Sequence, residues 1–260
     1  MPERRRRRSV FRPDGAVPGG RKRRSAAAAR KGLSGGGKGR SASSKRWLER
    51  QHRDPYVAAA HEAGWRSRAA FKLIELDERF HLLARGRRVV DLGAAPGGWS
   101  QVAAARVGAD RTGGGRVVAI DLQPFDPVPG VVTIEGDALA PDMPARTRAA
   151  LGGSADAVLS DMAALATGHR ATDHLRVTAL CEAALVFAEA VLAPGGTFVC
   201  KALKGGAETE LLARVKRRFA TVRHAKPPAS RAESREVYLV ATGYRGGGED
   251  ERASGPEQGE

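Results

Sequence analysis

Cysteine is scarce: Cys181 and Cys200 are the only two among 260 residues. Each lies inside an apolar run (ALCEAALVF and TFVCKAL) with no CxxC or Cys/His spacing, so neither a disulfide framework nor a zinc site is indicated, and a reducing cytoplasm fits. Long hydrophobic runs are missing too. The apolar stretches stop short of the roughly 18 to 20 residues that a membrane span needs, and the Arg-rich N-terminus leads into no hydrophobic signal core. Membrane and secreted classes fall away. With 42% hydrophobic and 28% charged residues, the composition suits an ordinary globular domain with a proper core.

The formal net charge of +15 is unevenly spread. Residues 1–46 carry 16 Lys/Arg against Glu3 and Asp14, a net +14, whereas 246–260 carry five acids against Arg252, a net −4. Between them, 27 bases face 22 acids, so the globular part is only mildly basic at +5. Residues 1–39 combine Arg runs with Gly, Ala and Ser filler and lack apolar periodicity, which reads as a disordered basic arm. Such an arm either attracts phosphates nonspecifically, more strongly at low salt, or is a solvated extension. Residues 40–245 form the expected domain and 246–260 a disordered acidic tail.

Within the domain, β-rich runs alternate with helical patterns, the mark of a parallel sheet covered on both faces. Strands are expected at 87–93, 115–122, 131–137, 155–162 and 196–203, with two more near 221–224 and 235–243. A helix following Thr172 should stop at Pro194, Gly195 and Gly196, another is expected over about 207–219, and Ser67 can cap one carrying Phe71, Ile74 and Leu76 on one side.

The turn Asp91-Leu92-Gly93-Ala94-Ala95-Pro96-Gly97-Gly98-Trp99 follows the first strand and opens a helix, the position at which open α/β sheets bind nucleotides. It is not GxGxxG, and Pro96 removes a backbone donor, which disfavours a pyrophosphate cradle and a nicotinamide oxidoreductase. Asp121 ends the second strand, placed for a ribose, and Asp137 ends the third, placed for an adenine edge. Together they point to an adenosine-type ligand. Asp161 and Lys201 end the fourth and fifth strands on the same edge, and an antiparallel last strand would bring Glu236 there as well. Taken singly, these charges could be solvated strand ends, and Lys72 could simply pair with Glu75.

DLGAAPGGWSQ, SDMA, FVCK and SREVYLVATG, in that order, closely resemble the FtsJ-type 2′-O-ribose RNA methyltransferases of bacteria. The likeness runs from RSASSKRWL at 40–48 to ATGYR at 241–245. It implies a class I S-adenosylmethionine-dependent (Rossmann-like) α/β fold, a mostly parallel sheet of about seven strands whose last is antiparallel. S-adenosyl-L-methionine is the implied cofactor, with no metal. The implied catalytic set is Lys72, Asp161, Lys201 and Glu236, and the donor-binding positions are Gly97, Trp99, Asp121, Asp137 and Asp161. Trp99 could equally pack on the sheet.

The expected substrate is 23S ribosomal RNA within the large subunit, at an A-loop uridine, the protein acting as a monomer without membrane contact. A transfer-RNA ribose is the alternative substrate, and a non-catalytic RNA-binding ribosome-assembly factor the alternative class. Lys201 would act either as a general base or as a fixed positive charge. Arg66, Arg68, Arg231 and Arg235 flank the catalytic positions and are candidates for an RNA phosphate clamp. SDMA continues as ALATGHRATDH, without the proline and asparagine typical of the family, so the shape of the substrate loop is not inherited.

Overall fold

The computed structural model describes residues 54–164, 167–204 and 209–246. The basic arm, residues 40–53, and the acidic tail beyond Gly246 lie outside the described residues.

Two helices open the domain, α1 (Pro55–Glu62) and α2 (Ala69–Phe80). Asp54 caps α1 by accepting the Tyr56 N–H at 3.1 Å, with Pro55 in the first turn where its missing donor costs nothing. The expected Ser67 cap does not form: Arg68 occupies the N-cap position and makes no side-chain capping bond. The buried face of α2 is Ala70, Leu73, Leu76 and Asp77, while Phe71 and Ile74 are half-buried. Of the expected face, Leu76 is buried as expected, and Phe71 and Ile74 are displaced by Ala70 and Leu73.

The remaining order is β1 (Arg88–Leu92), α3 (Gly98–Val107), β2 (Arg116–Asp121), β3 (Val131–Glu135), α4 (Met143–Leu151), β4 (Ala155–Ser160), α5 (Arg170–Val191), β5 (Leu192–Leu203), α6 (Thr209–Arg218), β6 (Phe219–Ala225) and β7 (Glu236–Tyr244). The sheet order is β3-β2-β1-β4-β5-β7-β6. The β1, β2, β3, β4 and β5 pairings are parallel, and β7 runs antiparallel to both β5 and β6. This is the expected doubly wound fold with its antiparallel last strand. The central strands are buried on both faces, which is why they read as unbroken apolar runs, whereas the edge strands β3 and β6 are largely exposed. Pro194, Gly195 and Gly196 do not separate α5 from its strand as expected. They fall inside β5, where the ladder with β4 is irregular and absorbs them as a bulge.

Side chains alternate across a strand, so each strand feeds two cores. Val90, Leu92, Val158, Phe198, Cys200 and Leu239 face α5 and α6, while Val89, Leu159, Val199, Tyr238 and Val240 face α2 and α3. On the second face, stepping two residues from each apolar position toward the C-terminal edge of the parallel strands reaches Asp91, Asp161 and Lys201. Lys201 stands directly opposite Tyr238 in the β5–β7 register, and Leu203 opposite Glu236. An apolar floor with a charged rim results.

Helix α2 must be held firmly for Lys72 to meet that rim. Asp77, buried near its end, accepts the Leu83 N–H at 2.8 Å and pairs with Arg106 Nε of α3 at 3.1 Å. Asp77→Ala strips a buried donor and a cation of their partner and should cost about 3 kcal/mol. Urea unfolding measures it, and a loss within 0.5 kcal/mol, roughly what surface substitutions cost, would show that the tie is dispensable.

Candidate active site

The four residues expected to converge do so. Lys201 Nζ is 2.7 Å from Asp161 Oδ1 and donates also to the Asp161 main-chain oxygen at 2.7 Å. Lys72 Nζ, carried by α2, is 2.6 Å from Glu236 Oε1 at the start of β7. Both pairs are mostly buried. Charges taken from water are tolerated only when paired and hydrogen-bonded, and here each has an opposite charge in contact.

Tyr238 joins the two pairs. Its hydroxyl donates to Asp161 Oδ1 at 2.6 Å and lies 3.3 Å from Glu236 Oε1, and its ring lies under Lys72 Nζ at 5.7 Å. Burial, reinforced by the charges of Asp161 and Glu236, pushes its phenol well above the usual range, so it stays a donor. Burial alone would raise the Asp161 carboxyl. The charges of Lys201 and Lys72 and the bonds from Lys201 and Tyr238 outweigh it and hold that carboxyl below its ordinary range. The sequence reading missed Tyr238, although its place two residues from Glu236 on one strand was signal enough, since such residues share a face.

Three of the four residues line two cavities, and Lys201 lines neither. One, of about 380 Å³, contains Asp121, Asp137 and Asp161 with Gly93 and Met162. The other, of about 350 Å³, contains Lys72 and Glu236 with Arg68, Arg231 and Ser234. In the first, Asp121 braces the glycine turn: its two oxygens accept the N–H groups of Ala95 and Gln123, each at 2.8 Å. Asp137 likewise accepts from Leu139 N at 2.9 Å. Leu122 and Leu139, 70% and 57% exposed, belong to this cavity and were not anticipated. Large apolar side chains left bare beside two carboxylates suit a flat, partly apolar ligand with hydroxyl and amine edges, as an adenosine has.

Gly97 and Trp99 are not among the residues lining that cavity. Gly97 caps α3 with φ +105°, and a Cβ there would meet Arg66, Val128 and Phe125 at 2.9–3.2 Å, so only glycine fits. The Trp99 side chain is buried, donating to Ala69 O at 2.8 Å with its ring 5.6 Å from that of Tyr238. It packs beneath the tetrad.

The four arginines divide. Arg66 donates to the carbonyls of Pro96, Asp126 and Pro127, tying the glycine turn to the loop after β2, and Arg235 donates to Lys204 O. These two brace backbone, in contrast to the clamp expected of them, while Arg68 and Arg231 do line the second cavity. Past Asp161, Asp173 anchors the divergent loop by accepting from Thr167 N and Oγ1, each at 2.7 Å, and from Gly168 N at 3.2 Å.

The model of FtsJ-like methyltransferases matches residues 65–244. The chain is 61% identical over 206 residues to ribosomal RNA large subunit methyltransferase E of Xanthobacter autotrophicus, spanning 79% of this chain and 81% of that one. To the protein of the same name from Paramagnetospirillum magneticum it is 62% identical over 208 residues, 80% of this chain and 85% of the other. Among solved structures, a ribosomal RNA methyltransferase from Plasmodium falciparum superposes with a TM-score of 0.63 at 32% identity, covering 70% of this chain and all of that one.

Under the site, Asp91 is fully buried. Its Oδ2 accepts from Ser100 Oγ at 2.6 Å, and its Oδ1 has no partner. Burial, helped by the charges of Asp161 and Asp121 and resisted by Ser100, pushes its carboxyl up to about 7. The folded state then holds a proton that the unfolded chain releases near pH 4. Stability from this group is complete below pH 4, falls by roughly 4 kcal/mol as the pH rises to about 7, and is level beyond. Asp91→Asn should remove that slope in urea unfolding between pH 4 and 7. A wild-type slope in the variant would assign the pH dependence elsewhere.

Proposed function

This chain belongs to the FtsJ-like methyltransferase family, and from that premise we propose that it methylates a ribose 2′-hydroxyl of 23S ribosomal RNA, at an A-loop uridine of the large subunit in the cytoplasm. The observation that carries the proposal is that Asp161, paired with Lys201, lines one cavity and Lys72 with Glu236 lines the other. A reaction that joins a donor to a large acceptor needs such a divide. The names of the relatives support ribosomal RNA as the acceptor.

The first cavity has the chemistry for S-adenosyl-L-methionine: Asp121 and Asp137 have carboxylate lone pairs to spare for ribose hydroxyls and an adenine amine, and Leu122 and Leu139 offer apolar surface to the base. Trp99, in the first turn of α3, would contribute its main-chain N–H at the positive end of the helix, which suits a carboxylate, while Gly97, whose own N–H donates to Ala94 O at 2.6 Å, would contribute the left-handed turn that opens the helix. When bound, this donor supplies an electrophilic methyl group on a sulfonium.

The chain's own residues handle the proton. Lys201 Nζ is tetrahedral, and two of its directions are spent on the two Asp161 oxygens. In its amine form the remaining direction carries a lone pair, which takes the 2′-hydroxyl proton as the ribose oxygen becomes nucleophilic. Asp161 stabilises the ammonium that forms, and Tyr238 fixes the carboxylate by donating to the oxygen that Lys201 also uses. Lys72 and Glu236, on the acceptor side, offer a donor and an acceptor to the sugar and hold it in line, where orientation accounts for much of the rate.

Tritiated-methyl transfer to 50S subunits prepared from a strain lacking the enzyme tests the reading, followed by alkaline hydrolysis, which a 2′-O-methyl group blocks. One protected linkage in 23S RNA is expected, and Lys201→Ala should lower the rate about 10³-fold with donor affinity unchanged by calorimetry. Label in transfer RNA alone, or on a base, would overturn the substrate assignment.

A further inference from the structure

The acceptor cavity has a wall whose construction the catalytic tetrad does not explain. Arg68 and Arg231 are 163 positions apart in sequence, yet both reach one oxygen, Asp54 Oδ2. Arg68 donates through Nη1, and Arg231 through Nη2 at 3.2 Å and Nε at 3.3 Å. The other oxygen of Asp54 caps α1. The Asp54 side chain is only 8% exposed, so the charge is set behind the arginines and not in front of them.

The remaining donors fall into two classes. Arg68 Nη2 is spent on Ala229 O and its Nε is buried without a partner, so although Arg68 lines the cavity these donors are not offered to it. Arg231 is different. Its Nη1 makes no hydrogen bond to the described residues, its side chain is 30% exposed, and it lines the cavity that also holds Lys72 and Glu236. A guanidinium is planar and rigid, so anchoring the Nε–Nη2 edge on one carboxylate fixes the plane and the direction of Nη1. An arginine held this way loses little further freedom on meeting a phosphate.

The loop that bears Arg231 is held just as closely. Lys226 Nζ donates to Ala232 O at 3.0 Å, Glu75 accepts from Ala229 N at 2.7 Å, and Ser230 Oγ donates to Glu236 Oε1 at 3.0 Å. Asp54 therefore acts on a residue whose backbone is already placed. What it adds is orientation of the side chain.

We propose that Asp54 is a positioning residue: it sets Arg231 to receive a backbone phosphate of the RNA next to the reacting ribose. The proposal rests on the RNA reading of the acceptor cavity given above. It makes the wall a preformed phosphate contact directed by a carboxylate distant from it in sequence.

Asp54→Asn is the informative substitution, because asparagine caps a helix as well as aspartate does, while the amide nitrogen that takes the place of Oδ2 carries no charge and cannot accept from either arginine. Steady-state methylation of 50S subunits by the full chain should show KM for the subunit raised about tenfold, the loss expected of one charge-assisted contact, with kcat within twofold. Donor affinity by calorimetry should not change. The slope of log K against log salt for RNA binding should shrink by about one, as it does when a single phosphate contact disappears.

Arg231→Gln leaves the Asp54–Arg68 pair intact and covers the case in which Asp54→Asn does not fold. It should reproduce the KM and salt-slope changes, and the double variant should be no worse than either single one. Unchanged KM and salt slope in Arg231→Gln, or a loss confined to kcat or thermal stability in Asp54→Asn, would overturn the positioning role. Failure of the wild-type protein to label ribosomal RNA would instead overturn the reading on which the role rests.

Discussion

The phenol of Tyr238 lies where two ion pairs would otherwise be separate, bonding to Asp161 and reaching toward Glu236. Four charges gathered at the rim of a sheet would be costly if any one lacked a partner, since an unpaired buried ion loses far more in hydration than a loose contact returns. The arrangement avoids this by placing each ammonium against a carboxylate and a neutral donor between the carboxylates. Burial keeps the tyrosine protonated, so it can play that part across the whole working pH range. Remove this hydroxyl and the pair on β7 and α2 loses its hydrogen-bonded link to the pair on β4 and β5, leaving the charge of Lys72 acting on Asp161.

The fold brings these groups together by alternation alone. Val89, Leu159, Val199 and Val240 fill the α2–α3 face, and the next positions in phase toward the rim are Asp91, Asp161, Lys201 and Tyr238. The strands that build the core thus also aim the chemistry, and the antiparallel direction of β7 lets Glu236 enter from the opposite end of its strand. Lys72 alone comes from outside the sheet, which is why α2 is tied down through Asp77 and through the packing of Leu73 and Leu76.

Much of this was legible in the residues. Seven strand positions, the glycine turn and the charged strand ends follow from periodicity and from the rule that open sheets place sites at carboxyl edges. What escaped did so for physical reasons. The phase of α2 was drawn from the bulkiest apolar residues, but a helix buries whichever stripe its neighbour needs, here Ala70 and Leu73 in place of Phe71 and Ile74. Tyr238 sat inside an apolar run and passed for core, which it also is. Leu122 and Leu139 gave no signal, because an exposed leucine is ordinary until a cavity is seen beside it. Arg66 and Arg235 looked like Arg68 and Arg231 in sequence. Only coordinates separate a guanidinium that staples carbonyls from one that faces a cavity.

The central claim is that Lys201, oriented by Asp161, removes the proton from the acceptor hydroxyl. The single-turnover rate of methyl transfer, measured against pH with saturating donor and subunits, tests it most directly. A base that must first lose its own proton predicts a tenfold rise per pH unit, followed by a plateau. A rate that does not change with pH across the range in which the protein stays folded would contradict the account and leave Lys201 a fixed positive charge.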